Sequence, residues 1–262
     1  MLTTPQPIKL IVDMCAAPGG KSIFAWKILN PELLLCNEAI GKRMGMPISN
    51  LKRCQIQPSA AANVDSKILA EKMPQTANLV IVDALCTGQS LLAKGDKAPG
   101  CFHHVTINSN ANRQKRILAN SAKIVAPQGY LAYMTCTYST AENEQVSEWL
   151  LSKFPEFGPV TGEHLSFVKS IFFIVVRASP LAYCTIRERG RSHCKCKTEM
   201  LPVTVPHLEK YRSHLTEIPC YRMWPQDRLG AGAFTVLFQN TSDGERNQLP
   251  ADFRDLARFT NI

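Results

Sequence analysis

Short apolar runs recur along the chain, and each stops at a polar residue. Ile8, Leu10, Ile11 and Val12 end at Asp13, and Leu33-Leu34-Leu35-Cys36 ends at Asn37-Glu38. Leu79-Val80-Ile81-Val82 ends at Asp83, and Tyr130 to Met134 ends at Thr135-Cys136. Runs this short and continuous read as strands buried on both faces of a parallel sheet. A weaker run, Ile56 to Val64, carries Pro58 and several alanines and closes at Asp65. Between the runs the spacing turns helical. It does so from Lys21 through Phe24, Trp26 and Leu29, over Lys42 to Cys54 despite Gly45 and Pro47, and over Ser66 to Lys72. Ser109 to Val125 is amphipathic through Ala111, Ile117, Leu118 and Ala122. Leu91 to Thr106 reads as a loop and Pro127-Gln128-Gly129 as a turn. Ser139 and Glu142 have capping-box spacing before a helix to about Lys153. Ala233 to Phe238 reads as a final strand. The alternation predicts an α/β fold with a mostly parallel, doubly wound sheet.

Length and composition narrow this further. With 262 residues, 45% of them hydrophobic, the chain can build one α/β core with additions. The expected division is a core over 1–160, a divergent segment or insertion over 161–218, a closing strand region over 219–240 and a tail over 241–262. A net charge of +9 favours a polyanionic partner. Met1 to Gln6 lacks the apolar stretch of a secretory signal, so the ten cysteines are expected to be reduced thiols in the cytoplasm. The longest apolar run, Ile171 to Val176, is too short to span a bilayer, and no membrane association is expected.

The loop after the first run carries the first chemistry. Cys15-Ala16-Ala17-Pro18-Gly19-Gly20 joins a strand to a helix, which is how nucleotide-binding α/β domains open. Small residues let the backbone approach a ligand, and the helix start offers free N–H groups. The dinucleotide fingerprint G-x-G-x-x-G is absent. The phosphate loop matches at Gly20, Lys21 and Ser22 but has Cys15 where its first glycine belongs. S-adenosylmethionine is left, whose amino group and sulfonium suit an acidic strand end such as Asp13. The alternative is a βα turn that binds nothing. Glu38 follows the loop by about twenty residues, where an acid commonly holds ribose hydroxyls.

Asp13, Glu38, Asp65, Asp83 and Cys136 all stand at strand ends, and ligands of such sheets sit outside those ends. Five polar groups from distant parts of the chain therefore converge on one crevice, which acidic helix caps and buried cysteines would not explain as a set. Cys86 and Cys136 follow two strands expected to be neighbours. Cys136 precedes a helix start, which favours a thiolate. Two thiols and a carboxylate beside a methyl donor suggest methylation of a pyrimidine at C5. Addition of a thiolate at C6 makes the poorly nucleophilic C5 reactive.

The motifs then become specific. Asp13-Met14-Cys15-Ala16-Ala17-Pro18-Gly19-Gly20-Lys21-Ser22 resembles the first motif of the RNA 5-methylcytosine methyltransferase family of the RsmB/Nop2/Sun type. Asp83-Ala84-Leu85-Cys86-Thr87-Gly88 is similar to its fourth motif. Tyr133 to Ser139, followed by Glu142-Asn143-Glu144, resembles its sixth. Arg222-Met223-Trp224-Pro225 and Gly232-Ala233-Phe234 resemble its closing strand. The resemblance implies a Rossmann-like class I S-adenosylmethionine-dependent methyltransferase acting on RNA, ribosomal or transfer, with the target base turned out of its stack. It implies Cys136 as nucleophile, Cys86 as the group assisting release, and Asp83 facing the ring near N3 while bordering the cofactor. Cys15, Ala16, Ala17, Pro18, Gly19, Gly20 and Lys21 would cradle the methionine portion, Glu38 the ribose and Asp65 the adenine side. No metal is implied, and a monomer is favoured.

Three departures stand out. Leu85 replaces the family's proline. The usual N-terminal RNA-binding portion is missing from the sequence. Phe167 to about Arg212 resembles nothing in the family; its Cys184, His193, Cys194 and Cys196 could bind zinc, although the spacing is not that of a finger. Two rivals remain, a non-catalytic binding member of the same fold and a P-loop-like nucleotidase, which Cys15 argues against.

Overall fold

The computed structural model describes residues 7–160, 208–227, 231–253 and 257–259. Its strands are β1 (Leu10–Asp13), β2 (Leu33–Asn37), β3 (Ser59–Ala62), β4 (Ala77–Asp83), β5 (Val125–Thr135), β6 (Phe157–Pro159), β7 (Cys220–Met223), β8 (Ala233–Asn240) and β9 (Ala257–Phe259). Its α-helices are α1 (Gly20–Leu29), α2 (Gly45–Arg53), α3 (Ser66–Lys72), α4 (His104–Ile124) and α5 (Glu144–Lys153). The sheet order is β6-β8-β5-β4-β1-β2-β3-β9, with β7 also on β8. From β5 to β3 the neighbours are parallel. At one end β8 runs antiparallel to β5, and β6 and β7 share its other edge. At the other end β9 runs antiparallel to β3. The winding reverses between β1 and β4, which opens a crevice outside their carboxyl ends.

The apolar runs make this sheet because both faces are covered. Leu10, Val12, Leu35, Val80 and Val82 pack with Leu69 of α3, Leu118 of α4 and Leu150 of α5. The alternate residues Ile11, Leu34, Leu79 and Ile81 pack on the opposite face with Ala25 of α1 and Leu51 of α2. None of these sheet residues is more than 1% exposed. Each contributes about 1.5–3 kcal/mol by leaving water. The continuous runs are therefore the signature of a two-sided core.

The structure departs from the hydrophobic pattern in several places. β5 begins at Val125, and Pro127-Gln128-Gly129 lies inside it as an irregularity rather than before it as a turn. The register against β4 slips between Ala77 and Leu79, Gln128 has φ +60, and a Cβ on Gly129 would lie 3.0 Å from the Ala77 carbonyl. Proline brings no N–H to the ladder, so the pairing is interrupted there and resumes at Tyr130. The expected loop over Leu91–Thr106 contains a 3-10 turn, Gln89–Lys94, and the start of α4. Within the stretch expected as a tail, described residues are packed: Phe253 is buried, Arg246 Nη1 donates to the Thr76 carbonyl at 2.9 Å, and β9 pairs with β3. Most of the expected insertion, including Cys184, His193, Cys194 and Cys196, lies outside the described residues. Among the described residues no cluster of three His, Cys, Asp or Glu could hold a metal. Among them, too, no helix is long and apolar enough to cross a membrane.

Candidate active site

The loop between β1 and α1 is held from both sides. Ala16 N donates to the Asn37 carbonyl at 2.8 Å, and Asn50 Nδ2 donates to the Pro18 carbonyl at 2.8 Å. Arg43 Nη2 donates to the Ala17 carbonyl at 3.2 Å. Gly19 has φ +105, and a Cβ there would sit 3.2 Å from Pro47 Cα, so glycine is required twice over. Asp13 does not face the crevice freely. It is 1% exposed, and its carboxylate accepts from Ser22 Oγ at 2.5 Å and Cys15 N at 3.2 Å. Burial pushes its pKa up to about 7. Helix and loop each donate to one Asp13 oxygen, which gives this carboxylate a structural role at the turn.

Glu38, just past β2, is 4% exposed. Its Oε1 accepts from Ile40 N at 3.0 Å. Its Oε2 is buried without a hydrogen-bond partner, with Arg43 Nη1 3.5 Å away. A buried carboxylate oxygen with spare capacity is costly unless something donates to it. Asp65 is exposed at the start of α3, where its Oδ1 caps the helix by accepting from Lys67 N at 2.9 Å. Its Oδ2 lies 3.9 Å from Arg116 Nη2.

The other wall of the crevice brings four expected residues together. Lys21 reaches past β1 to form an ion pair with Asp83 at the end of β4. The loops after β4 and β5 run side by side: Cys86 Sγ lies 3.3 Å from Cys136 Sγ, and Thr87 Oγ1 lies 2.7 Å from Thr137 Oγ1. The hydrogen bond between the two sulfurs is the main reason that Cys136 is held down to about 7, since a Cys136 thiolate would accept from the Cys86 thiol. The Ser90 hydroxyl and the Lys21 charge act in the same direction. The same bond, with burial, pushes Cys86 well above an ordinary thiol. Of the two sulfurs, Cys136 is therefore the one that ionises first, and Cys86 keeps its proton.

A buried network that the apolar pattern did not suggest fixes these loops. Glu142 is fully buried, and its carboxylate accepts from Thr87 N at 3.0 Å, Thr87 Oγ1 at 2.5 Å and Gln114 Nε2 at 3.0 Å. Gln114 also donates to the Leu85 carbonyl at 3.0 Å. Glu142 thus spans two loops instead of closing a capping box, and Ser139 makes no side-chain cap. Asn143 accepts from Thr135 Oγ1 at 2.6 Å and donates to the Thr137 carbonyl at 3.0 Å. Glu144 holds Arg222 of β7 in a buried ion pair. One signal was available. Asn110, Gln114 and Ser121 occupy the buried stripe of α4, where the helical period calls for apolar residues.

The family model of the 16S rRNA methyltransferase RsmB/F matches residues 1–170. The chain belongs to this family. A ribosomal RNA small subunit methyltransferase F from Psychromonas ingrahamii is 31% identical over 154 residues, covering 58% of this chain and 32% of that protein. One from Citrobacter koseri is 31% identical over 150 residues, covering 56% and 31%. The chain thus spans about a third of the length of the curated relatives it matches. Among solved structures, NSun6 from Pyrococcus horikoshii with SFG superimposes with a TM-score of 0.60 at 19% identity, over 89% of this chain and 48% of that one. A methyltransferase homolog protein from Pyrococcus horikoshii gives 0.57 at 19%, over 90% and 63%. At such identities the likeness bears on the fold, which is that of the expected α/β class.

Proposed function

We propose that the chain binds S-adenosylmethionine and methylates carbon 5 of cytosine in RNA, ribosomal or transfer, as a cytoplasmic monomer. The observation that carries this reading is the thiol pair at 3.3 Å beside the Lys21–Asp83 ion pair. Residues 1–160 and 219–240 would form the catalytic core. The unpartnered oxygen of Glu38 fits a ribose hydroxyl, and the backbone of Cys15 to Gly20 fits the methionine portion. Asp65 would lie on the adenine side.

In this reading Cys136 sulfur adds to C6 of the cytosine, and the electron pair of the C5–C6 double bond moves so that C5 becomes nucleophilic. Asp83 borders the ring near N3, where charge changes during addition, and Lys21 holds that carboxylate in place. S-adenosylmethionine, when bound, supplies the electrophilic methyl group. Afterwards the C5 proton must leave and the C6–S bond must break. The coupling between the thiols orders these steps. While Cys136 is a thiolate, Cys86 stays protonated as its hydrogen-bond donor. Once Cys136 sulfur is a neutral thioether, that charge is gone, and Cys86 can give its proton to solvent; its thiolate then takes the C5 proton, the C5–H electron pair re-forms the C5–C6 double bond, and the C6–S pair leaves with Cys136 as a thiolate.

Incubation of the chain with bulk RNA and methyl-labelled cofactor, followed by digestion, tests the proposal. Labelled 5-methylcytidine is the expected product. Cofactor binding without any labelled nucleoside would instead make the chain a non-catalytic binding member.

A further inference from the structure

Beside the thiol pair lies a face with an unusual combination of side chains. The 3-10 turn Gln89–Lys94 is fastened to the Cys136 loop by two bonds. Ser90 N donates to the Cys136 carbonyl at 3.1 Å, and Gln89 Oε1 accepts from Tyr138 N at 2.9 Å. Gln89, itself 3% exposed, also donates from Nε2 to the Cys101 carbonyl at 2.8 Å. One buried side chain therefore ties the loop holding Phe102 to the loop holding Cys136. On the Phe102 side opens a depression of about 470 Å³ lined by Leu92, Ala98, Gly100, Cys101, Phe102 and His103. Phe102 is 66% exposed and Leu92 45%.

Exposed aromatic and aliphatic surface of this kind marks a binding site. Its surroundings indicate the ligand. Lys94 and Lys97 are exposed on the same loop, with Asp96 between them. An apolar ring face bordered by cations suits a nucleobase with its phosphates, since every base presents a π-face and a charged backbone. We propose that Phe102 is the stacking platform for an unpaired nucleotide flanking the target cytosine, with Lys94 and Lys97 holding adjacent phosphates. This rests on the reading of the chain as an RNA cytosine methyltransferase and adds where the strand runs beyond the flipped base. The rigid link through Gln89 would then set the spacing between the stacked neighbour and Cys136.

Fluorescence anisotropy of the full chain with a short labelled oligocytidylate tests this, with calorimetric cofactor binding as the check on folding. Phe102→Ala should weaken the strand about tenfold, while Phe102→Tyr stays within about twofold of wild type and Phe102→Leu behaves like the alanine variant. Lys94→Ala and Lys97→Ala should each reduce the salt dependence of binding by about one phosphate contact. The inference is overturned if Phe102→Ala binds like the wild type, or if leucine rescues as well as tyrosine. These outcomes, with 5-methylcytidine still formed by the wild type, leave the functional reading standing. A wild type that neither binds the strand nor forms 5-methylcytidine removes both.

Discussion

On the β1–β2 side of the crevice, the loop from Cys15 to Gly19 is shaped by the smallness of its residues, and its carbonyls are held by Arg43 and Asn50. On the β4–β5 side, the loops holding Cys86 and Cys136 are shaped by long polar side chains that arrive from α4, the 3-10 turn before α5, and β7. The first wall fails when a side chain is added. The second is assembled from residues far apart in sequence and fails when one is removed. If the proposed roles hold, the first wall needs close approach to a cofactor and the second needs fixed distances between sulfurs and carboxylates.

The largest expected effect lies in the second wall. Cys136→Ala should lower 5-methylcytidine formation by roughly four orders of magnitude or more and give no covalent complex on a denaturing gel with RNA and cofactor. Cys86→Ala should accumulate a slow-migrating protein–RNA band, and the double variant should not. A band from Cys136→Ala alone would reverse the two roles.

Next is the frame behind that wall. Arg222→Ala leaves Glu144 buried without its cation and should cost about 3–5 kcal/mol of stability by denaturant unfolding. If the midpoint stays put, the β7 ion pair is not what holds the loops.

The first wall should give smaller losses that are seen in cofactor affinity. Glu38→Ala should weaken S-adenosylmethionine binding by about 1–3 kcal/mol in calorimetry. Gly19→Ala forces a side chain into φ +105 against Pro47 and should cost about 1–3 kcal/mol of stability. Equal affinity in Glu38→Ala would take that carboxylate out of the site.

The smallest effect is a shift of pH dependence. The thiolate is the reacting form, so adduct formation in wild type should rise with pH through about 7 and level off above it. Cys86→Ala removes the donor that stabilises this thiolate, so the rising limb should move to higher pH in single-turnover adduct assays. An unmoved limb would show that Cys86 does not set the charge of Cys136.

The difference between the walls also explains what the sequence revealed. β1, β2 and β4 were legible because two-sided burial leaves continuous apolar runs, and the cradle was legible because its constraints fall on adjacent residues. Asp83, Cys86 and Cys136 could be placed because each directly follows such a run. Glu142 was misread because its spacing from Ser139 satisfies a local rule while its partners, Thr87 and Gln114, are 55 and 28 residues away. β9 was missed because a strand of three residues leaves too short a pattern to detect. Asp65 ends its run as Asp13 and Asp83 do, yet its side chain serves the helix that follows, and the period of a strand carries no information on that choice.

The pairing of β9 with β3 has a consequence for synthesis on the ribosome. β3 is Ser-Ala-Ala-Ala, a strand with almost no side chain to shield its outer edge. Its partner is translated about 195 residues later, as Ala62 opposite Ala257. At elongation rates of about 5–20 residues per second that is on the order of ten to forty seconds during which the edge hydrogen-bonding groups of β3 stand open to other nascent chains. Holding the edge during that interval falls to whatever meets the chain as it emerges, so the yield of folded protein should depend more on chaperone supply during translation than on the stability of the finished sheet.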